Sequence, residues 1–173
     1  MSVVSACTIP ERSLLEAYRR DGAYTDCYAT EVPGTVSFER YVEAFYTTWL
    51  FKLERWILLL ASRPSADAEA ARLARGEIDR FAAWTVEGRA EGQVLLRDYT
   101  GRTRSWLMVD GSEASKTRLY FGSAVVPQPG PDSKRKLGFP FDLLLDFHKA
   151  YSVALLHAAR ARLVRPRPAA SSA

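Results

Sequence analysis

The apolar residues of this chain switch repeatedly between helical and strand periods, and those switches mark its elements. Residues 1–9 show no period and are expected to be loose. "PERSLLEAYRR" then predicts a short helix. Pro10 suits a first helical position, where its missing N–H costs nothing, and Leu14, Leu15 and Tyr18 give one apolar side. Asp21-Gly22 ends it. In "AYTDCYATEV", Tyr24, Asp26, Tyr28 and Thr30 alternate with Thr25, Cys27, Ala29 and Glu31. These β-favouring residues predict a strand, stopped by Pro33-Gly34.

The strongest helical pattern follows. Phe38, Tyr41, Val42, Phe45, Trp49, Leu53, Trp56, Ile57 and Leu60 recur at helical spacing, with Ser37 as N-cap and Val36 placed to staple onto Tyr41. The aromatic stripe of Phe45, Trp49 and Trp56 reads as core. The pattern slips in the middle, where Lys52 falls on the stripe and Phe51 off it. That slip predicts a kink, or two consecutive helices meeting near 47–51, before Pro64 stops the segment. "SADAEAARLARG" predicts a short helix capped by Ser65 and ended by Gly76.

The period then shortens to two. Runs at 80–88, 93–99, 102–110 and 117–126 read as strands joined by short Gly- or Ser-containing connections, which makes an antiparallel meander. A proline-rich basic loop (127–140), a long helix (140–163) and a basic tail expected to be disordered (164–173) complete the chain. The expected fold class is α+β: an antiparallel meander packed against a long C-terminal helix, with helices inserted after the first strand.

The hairpin "DYTGRTRSWLMVD" (98–110) poses a question of register. A two-residue Thr100-Gly101 turn would set Arg97 opposite Arg104, a like-charge pair. A three-residue turn with Gly101 in the left-handed conformation pairs Asp98 with Arg102 instead, and is the expected register. It gathers Val94, Leu96, Asp98, Arg102, Arg104, Trp106 and Met108 on one face. The stretch lacks the glycine density and the following helix of a phosphate-cradling loop.

Composition narrows the functional classes. With 173 residues, 47% hydrophobic and 25% charged, the chain suits one domain over 1–163. The net charge of +4 collects in Lys134–Lys136 and in the Arg160–Arg167 segment, so it reads as a loop and a tail and no nucleic-acid partner is expected. Two cysteines without a CxxC element point to a reduced, cytoplasmic setting, with Cys27 a buried structural residue. "WILLLA" is too short to span a membrane, and the N-terminus lacks the basic and apolar regions of a signal peptide.

Few residues offer chemistry. His148 and His157 lie nine residues apart on the last helix, about 180° apart around it, so they cannot share a metal. No metal or cofactor is expected. His157 falls on the polar side, whereas His148 shares a stripe with Leu144, Tyr151 and Leu155. Asp26, Glu31, Glu54, Asp79, Glu87 and Asp98 include no pair that spacing singles out.

Four segments, "YTDCYATEVPGTVSFERYVEAFYTTWLFKLER", "FAAWTVEGRAEGQVLLRDYTGRTRSWLM", "TRLYFGSAVVP" and "FHKAYSVALLHAARARL", resemble an uncharacterised family of proteobacterial proteins over residues 11–163. The order of elements also resembles the START-like, helix-grip superfamily of polyketide cyclases and lipid carriers. Helix-grip domains usually carry more strands than the four-run meander shows, so one is expected within 76–93 or is missing. That resemblance implies a cavity between sheet and C-terminal helix. The expected function is binding of a small hydrophobic or amphipathic molecule by His148, Tyr151, Arg104, Trp106, Asp98 and Trp84. An enzyme of the cyclase, dehydratase or hydrolase type in the same cavity, or an interaction module without a pocket, stand as alternatives. A homodimer is compatible with each.

Overall fold

A computed structural model of the chain describes residues 3–52, 66–126 and 141–165, the side chains of 141–147 excepted. Among them, seven strands form one antiparallel sheet: β1 (Ser5–Ala6), β2 (Tyr24–Pro33), β3 (Arg80–Phe81), β4 (Trp84–Ala90), β5 (Gln93–Asp98), β6 (Thr103–Asp110) and β7 (Lys116–Val125). Their spatial order is β1-β2-β7-β6-β5-β4-β3. Four helices accompany it: α1 (Glu16–Arg20), α2 (Phe38–Tyr46), α3 (Asp67–Ala74) and α4 (Phe141–Val164). The α+β class and the meander closed by a C-terminal helix are therefore as expected.

Alternation along the strands sorts two cores. One face carries Val32, Val94, Leu96, Leu107, Leu119 and Phe121 against Phe45, Leu155 and Leu156 from α2 and α4. The opposite face carries Cys27, Ala29, Leu95, Trp106 and Tyr120 beneath Leu15 of the segment before α1. Both faces are thus covered, and a one-residue shift of register would exchange the two sets.

Four expectations need correction. The first helix spans only Glu16–Arg20, and residues 11–15 form turns. Gln93 explains part of this: its Oε1 accepts the Leu14 N–H at 2.9 Å and its Nε2 donates to the Arg12 carbonyl at 3.1 Å, so a side chain satisfies backbone groups a helix would otherwise use. Residues 5–6, expected to be loose, pair with β2. The run 80–88 divides into β3 and β4 about a turn in which Ala82 adopts φ 51°, so a strand does lie hidden within 76–93.

The fourth concerns the aromatic stripe. Helix α2 is capped by Ser37, whose Oγ accepts the Arg40 N–H at 3.3 Å, and it ends at Thr47. The Thr48 hydroxyl donates to the Phe45 carbonyl and accepts the Phe51 N–H, which starts a new helical turn at 49–52. This break supplies the phase change that the pattern demanded. Phe51 turns inward (2% exposed) and Trp49 outward (69%), so Trp49 leaves the core stripe. Trp56, Ser65, the 127–140 loop and residues 166–173 of the tail lie outside the described residues; Val164 still belongs to α4.

Candidate functional site

The hairpin register decides what faces the space between sheet and α4. Leu95 pairs with Trp106, Leu96 with Ser105 and Arg97 with Arg104. The register set aside for its like-charge pair is the one adopted. Asp98 holds the turn: its carboxylate accepts the N–H groups of Arg102 (2.9 Å) and Thr103 (3.0 Å) and the Thr100 hydroxyl, while Gly101 takes φ 72°. Arg104 escapes Arg97 by turning to a separate set of partners. Its Nε donates to the Tyr18 hydroxyl (2.9 Å), its Nη1 to the Gly101 carbonyl (2.7 Å), and its Nη2 pairs with Glu87 (3.0 Å), with the guanidinium 5.0 Å from the Tyr18 ring centre. Tyr18 in turn donates to Glu87, and burial followed by that bond raises its phenol above the ordinary range. Two arginines can face each other because one is neutralised locally.

This register places Thr103 and Ser105 with Leu96 and Asp98, and sends Trp106 to the other face. Trp106 is fully buried there, and its indole N–H donates to Gln93 Oε1 at 3.0 Å. The expectation that Trp106 borders a pocket is therefore wrong. A one-residue error of register moved it across the sheet.

Between the sheet, the α2 break and α4 lies a cavity of about 220 Å³. The structure brings His148, Tyr151, Trp84, Asp98 and Arg104 around it, although the Arg104 guanidinium is engaged as just described. Phe45, Phe51, Phe121 and Leu155 supply apolar walls. Ser105, Ser123 and Ser152 were missed. Serines within strands and helices look like neutral filler in a sequence, and only the β2–β7 register, which sets Asp26 opposite Ser123, reveals a polar cluster.

That cluster closes one end of the cavity. The Ser123 hydroxyl lies 2.6 Å from Asp26 Oδ1 and 2.7 Å from His148 Nε2, and the Ser123 backbone N–H donates to the same Oδ1 at 3.0 Å. His148 Nε2 is 3.7 Å from Asp26 Oδ2. Counting protons fixes the directions of these bonds. Oδ1 already accepts a backbone N–H, so it is an acceptor for the serine as well. Ser123 then spends its one hydrogen on Asp26 and can only accept from His148. His148 Nε2 therefore carries a proton and donates to the Ser123 oxygen. Ser152, one turn along α4, donates to the His148 carbonyl at 2.8 Å. Burial, with the Asp26 charge second, pushes the neighbouring Tyr28 phenol up to about 12.

His157 is exposed, as its place on the polar side implied. Cys27 points away from His148 and meets Cys7 on the opposite face. Among the described residues no group of three or more His, Cys, Asp or Glu side chains could hold a metal, and no helix is long and apolar enough to cross a membrane.

Comparison with protein families, with curated proteins and with solved structures finds no match to this chain.

Proposed function

We propose that the chain is a START-like, helix-grip domain that binds a small, mostly apolar ligand in the cavity between sheet and C-terminal helix, with the ligand's polar group at His148. One observation carries this reading: aromatic walls around about 220 Å³ that end in the Asp26–Ser123–His148 cluster. An apolar cavity of ~150 Å³ accepts one benzene ring, so this space suits one ring or two fused rings. Ligand sites commonly combine such walls with a few convergent polar groups. The antiparallel meander, the helices after the first long strand and the closing helix are the features in keeping with a helix-grip domain.

The direct experiment is native purification followed by solvent extraction and mass spectrometry, together with calorimetric titration of 2-naphthol as a probe. The reading expects an extracted small molecule, or 2-naphthol binding that weakens about tenfold or more in Ser105→Leu, which fills the space. An empty extract together with no heat at about 1 mM probe, weaker than roughly 4 kcal/mol, overturns it.

A second reading is favoured by the proton count. A histidine whose Nε2–H donates to a serine that is itself held by a carboxylate is arranged for general acid–base chemistry, with Asp26 acting through Ser123 as its positioning group. Such an enzyme would exchange the α-protons of 2-tetralone in deuterated buffer, and His148→Gln would abolish the effect. Equal exchange in wild type and variant removes this reading and leaves the binding one standing.

A further inference from the structure

We propose that Cys7 and Cys27 form an oxidisable dithiol on the sheet face opposite the cavity, closed to an intramolecular disulfide by hydrogen peroxide and reopened by thiols. The inference is independent of the cavity reading.

Its basis is the β1–β2 ladder. Ser5 pairs with Ala29 and Ala6 with Tyr28, so the next rung sets Cys7 opposite Cys27, and the Cys7 N–H donates to the Cys27 carbonyl at 2.9 Å. Facing residues at such a hydrogen-bonded rung have Cα atoms about 5.5 Å apart, within the span that a disulfide bridges. The two Sγ atoms lie 3.2 Å apart and both are free thiols. Closing the bond needs the sulfurs to approach by only about 1 Å, which side-chain rotation supplies.

The two thiols differ in the way this chemistry needs. Cys7 is partly exposed on the wall of a groove of about 740 Å³, beside Thr8, Glu11, Arg19, Tyr24 and Lys149. The hydrogen bond from Cys27, with Arg118 assisting, holds the Cys7 thiol below its ordinary value although burial works against it. Cys27 is buried, and its bond to Cys7 and its burial push its thiol up. Cys7 is thus the accessible nucleophile and Cys27 the protected resolving thiol.

The step balances. The Cys7 thiolate attacks one peroxide oxygen, so an S–O bond forms, the O–O bond breaks and hydroxide leaves with Cys7 as a sulfenic acid. Cys27 gives its proton to that hydroxide and attacks the Cys7 sulfur. The S–S bond forms, the S–O bond breaks and the departing hydroxide takes the proton first released from Cys7. Two thiols lose two electrons, and one peroxide becomes two waters. The product ties the two-residue strand β1 to the sheet and closes a loop of 20 residues that contains α1.

The test uses the full chain, reduced and freed of reductant, then treated with equimolar hydrogen peroxide. Because the chain has two cysteines, intact mass under denaturing, non-reducing conditions reads the outcome without mapping. The expected result is a monomer lighter by about 2 Da, restored by dithiothreitol. Its melting temperature should exceed that of the reduced form by roughly 5 °C or more. Cys27→Ala should stop at a Cys7 sulfenic acid that dimedone traps. Two unreacted thiols, accumulation of sulfinic acid in the wild type, or disulfide-linked dimers as the main product would each overturn the proposal.

Discussion

Removing the Ser123 hydroxyl tests the polar end of the cavity more sharply than removing His148. The side chain is 1% exposed and joins two titratable groups with one oxygen. In Ser123→Ala, Asp26 Oδ1 keeps the backbone N–H of residue 123 but loses its hydroxyl donor. The Asp26 side chain is only 9% exposed, so water replaces that donor poorly. His148 is 30% exposed and can rebond to solvent, so its loss is smaller. A hydrogen bond to a charged, buried acceptor contributes ~1.5–3 kcal/mol and the histidine bond ~0.5–1 kcal/mol, which gives an expected destabilisation of about 2–4 kcal/mol. Urea titration followed by circular dichroism measures it, with an unchanged slope showing that the native state stays compact. Imidazole nitrogen NMR supplies a second readout. Wild-type His148 should show the Nε2–H form with its proton bonded to the Ser123 oxygen, and Ser123→Ala should remove that bond's shift on Nε2. A stability loss under about 0.5 kcal/mol, or a wild-type His148 carrying its proton on Nδ1, would refute the proton count and with it the assignment of Asp26 as a positioning group.

Other consequences follow from named contacts. Gly122→Ala should cost about 1–3 kcal/mol, because a Cβ there would meet Leu15 Cδ2 at 2.7 Å and the fixed Asp26 carbonyl at 2.8 Å; urea midpoints check it. Gln93→Leu should cost about 2–4 kcal/mol by stranding the Leu14 N–H and the Trp106 indole together, read by urea titration and by a changed tryptophan emission. Arg104→Met should destabilise the fold by leaving the Glu87 carboxylate without its cation and the Gly101 carbonyl without its donor, read by urea titration, while changing 2-naphthol affinity less than about threefold, since the guanidinium is taken up by Tyr18, Gly101 and Glu87. Paired chiefly with Arg19, and also with Arg20, Glu16 has its carboxyl held at about 2, below its ordinary 4.5. A depressed folded value adds stability that is present above pH 4.5 and lost as pH falls towards 2. Glu16→Gln should therefore flatten the decline of the urea midpoint across that window.

The sequence made the fold legible wherever one local period ran long enough. Residues 24–33, 93–98 and 103–110 are short runs rich in β-favouring residues between turn signals, and 38–46 repeats at helical spacing, so their identity did not depend on tertiary context. Even the α2 break was visible as a phase slip, although which aromatic it would expel was not. Failures came where a distant side chain overrode a local rule. Gln93 reaches back to Arg12 and Leu14 and holds them in turns, and no local pattern near residue 12 announces it. The hairpin register shows the same limit at higher stakes. Pairwise charge argued against Arg97 opposite Arg104, a matter of about 0.2–1 kcal/mol. The apolar faces argued the other way, because the adopted register alone lets Leu96 and Leu107 enter one core while Leu95 and Trp106 enter the other. Burying a large apolar side chain contributes ~1.5–3 kcal/mol each, so the cores decide and Arg104 adapts through Glu87 and Tyr18. The candidate site inherits that decision. His148 and Tyr151 were legible from one helical stripe, Trp106 was lost with the register, and Ser123 became visible only once β2 and β7 were laid side by side.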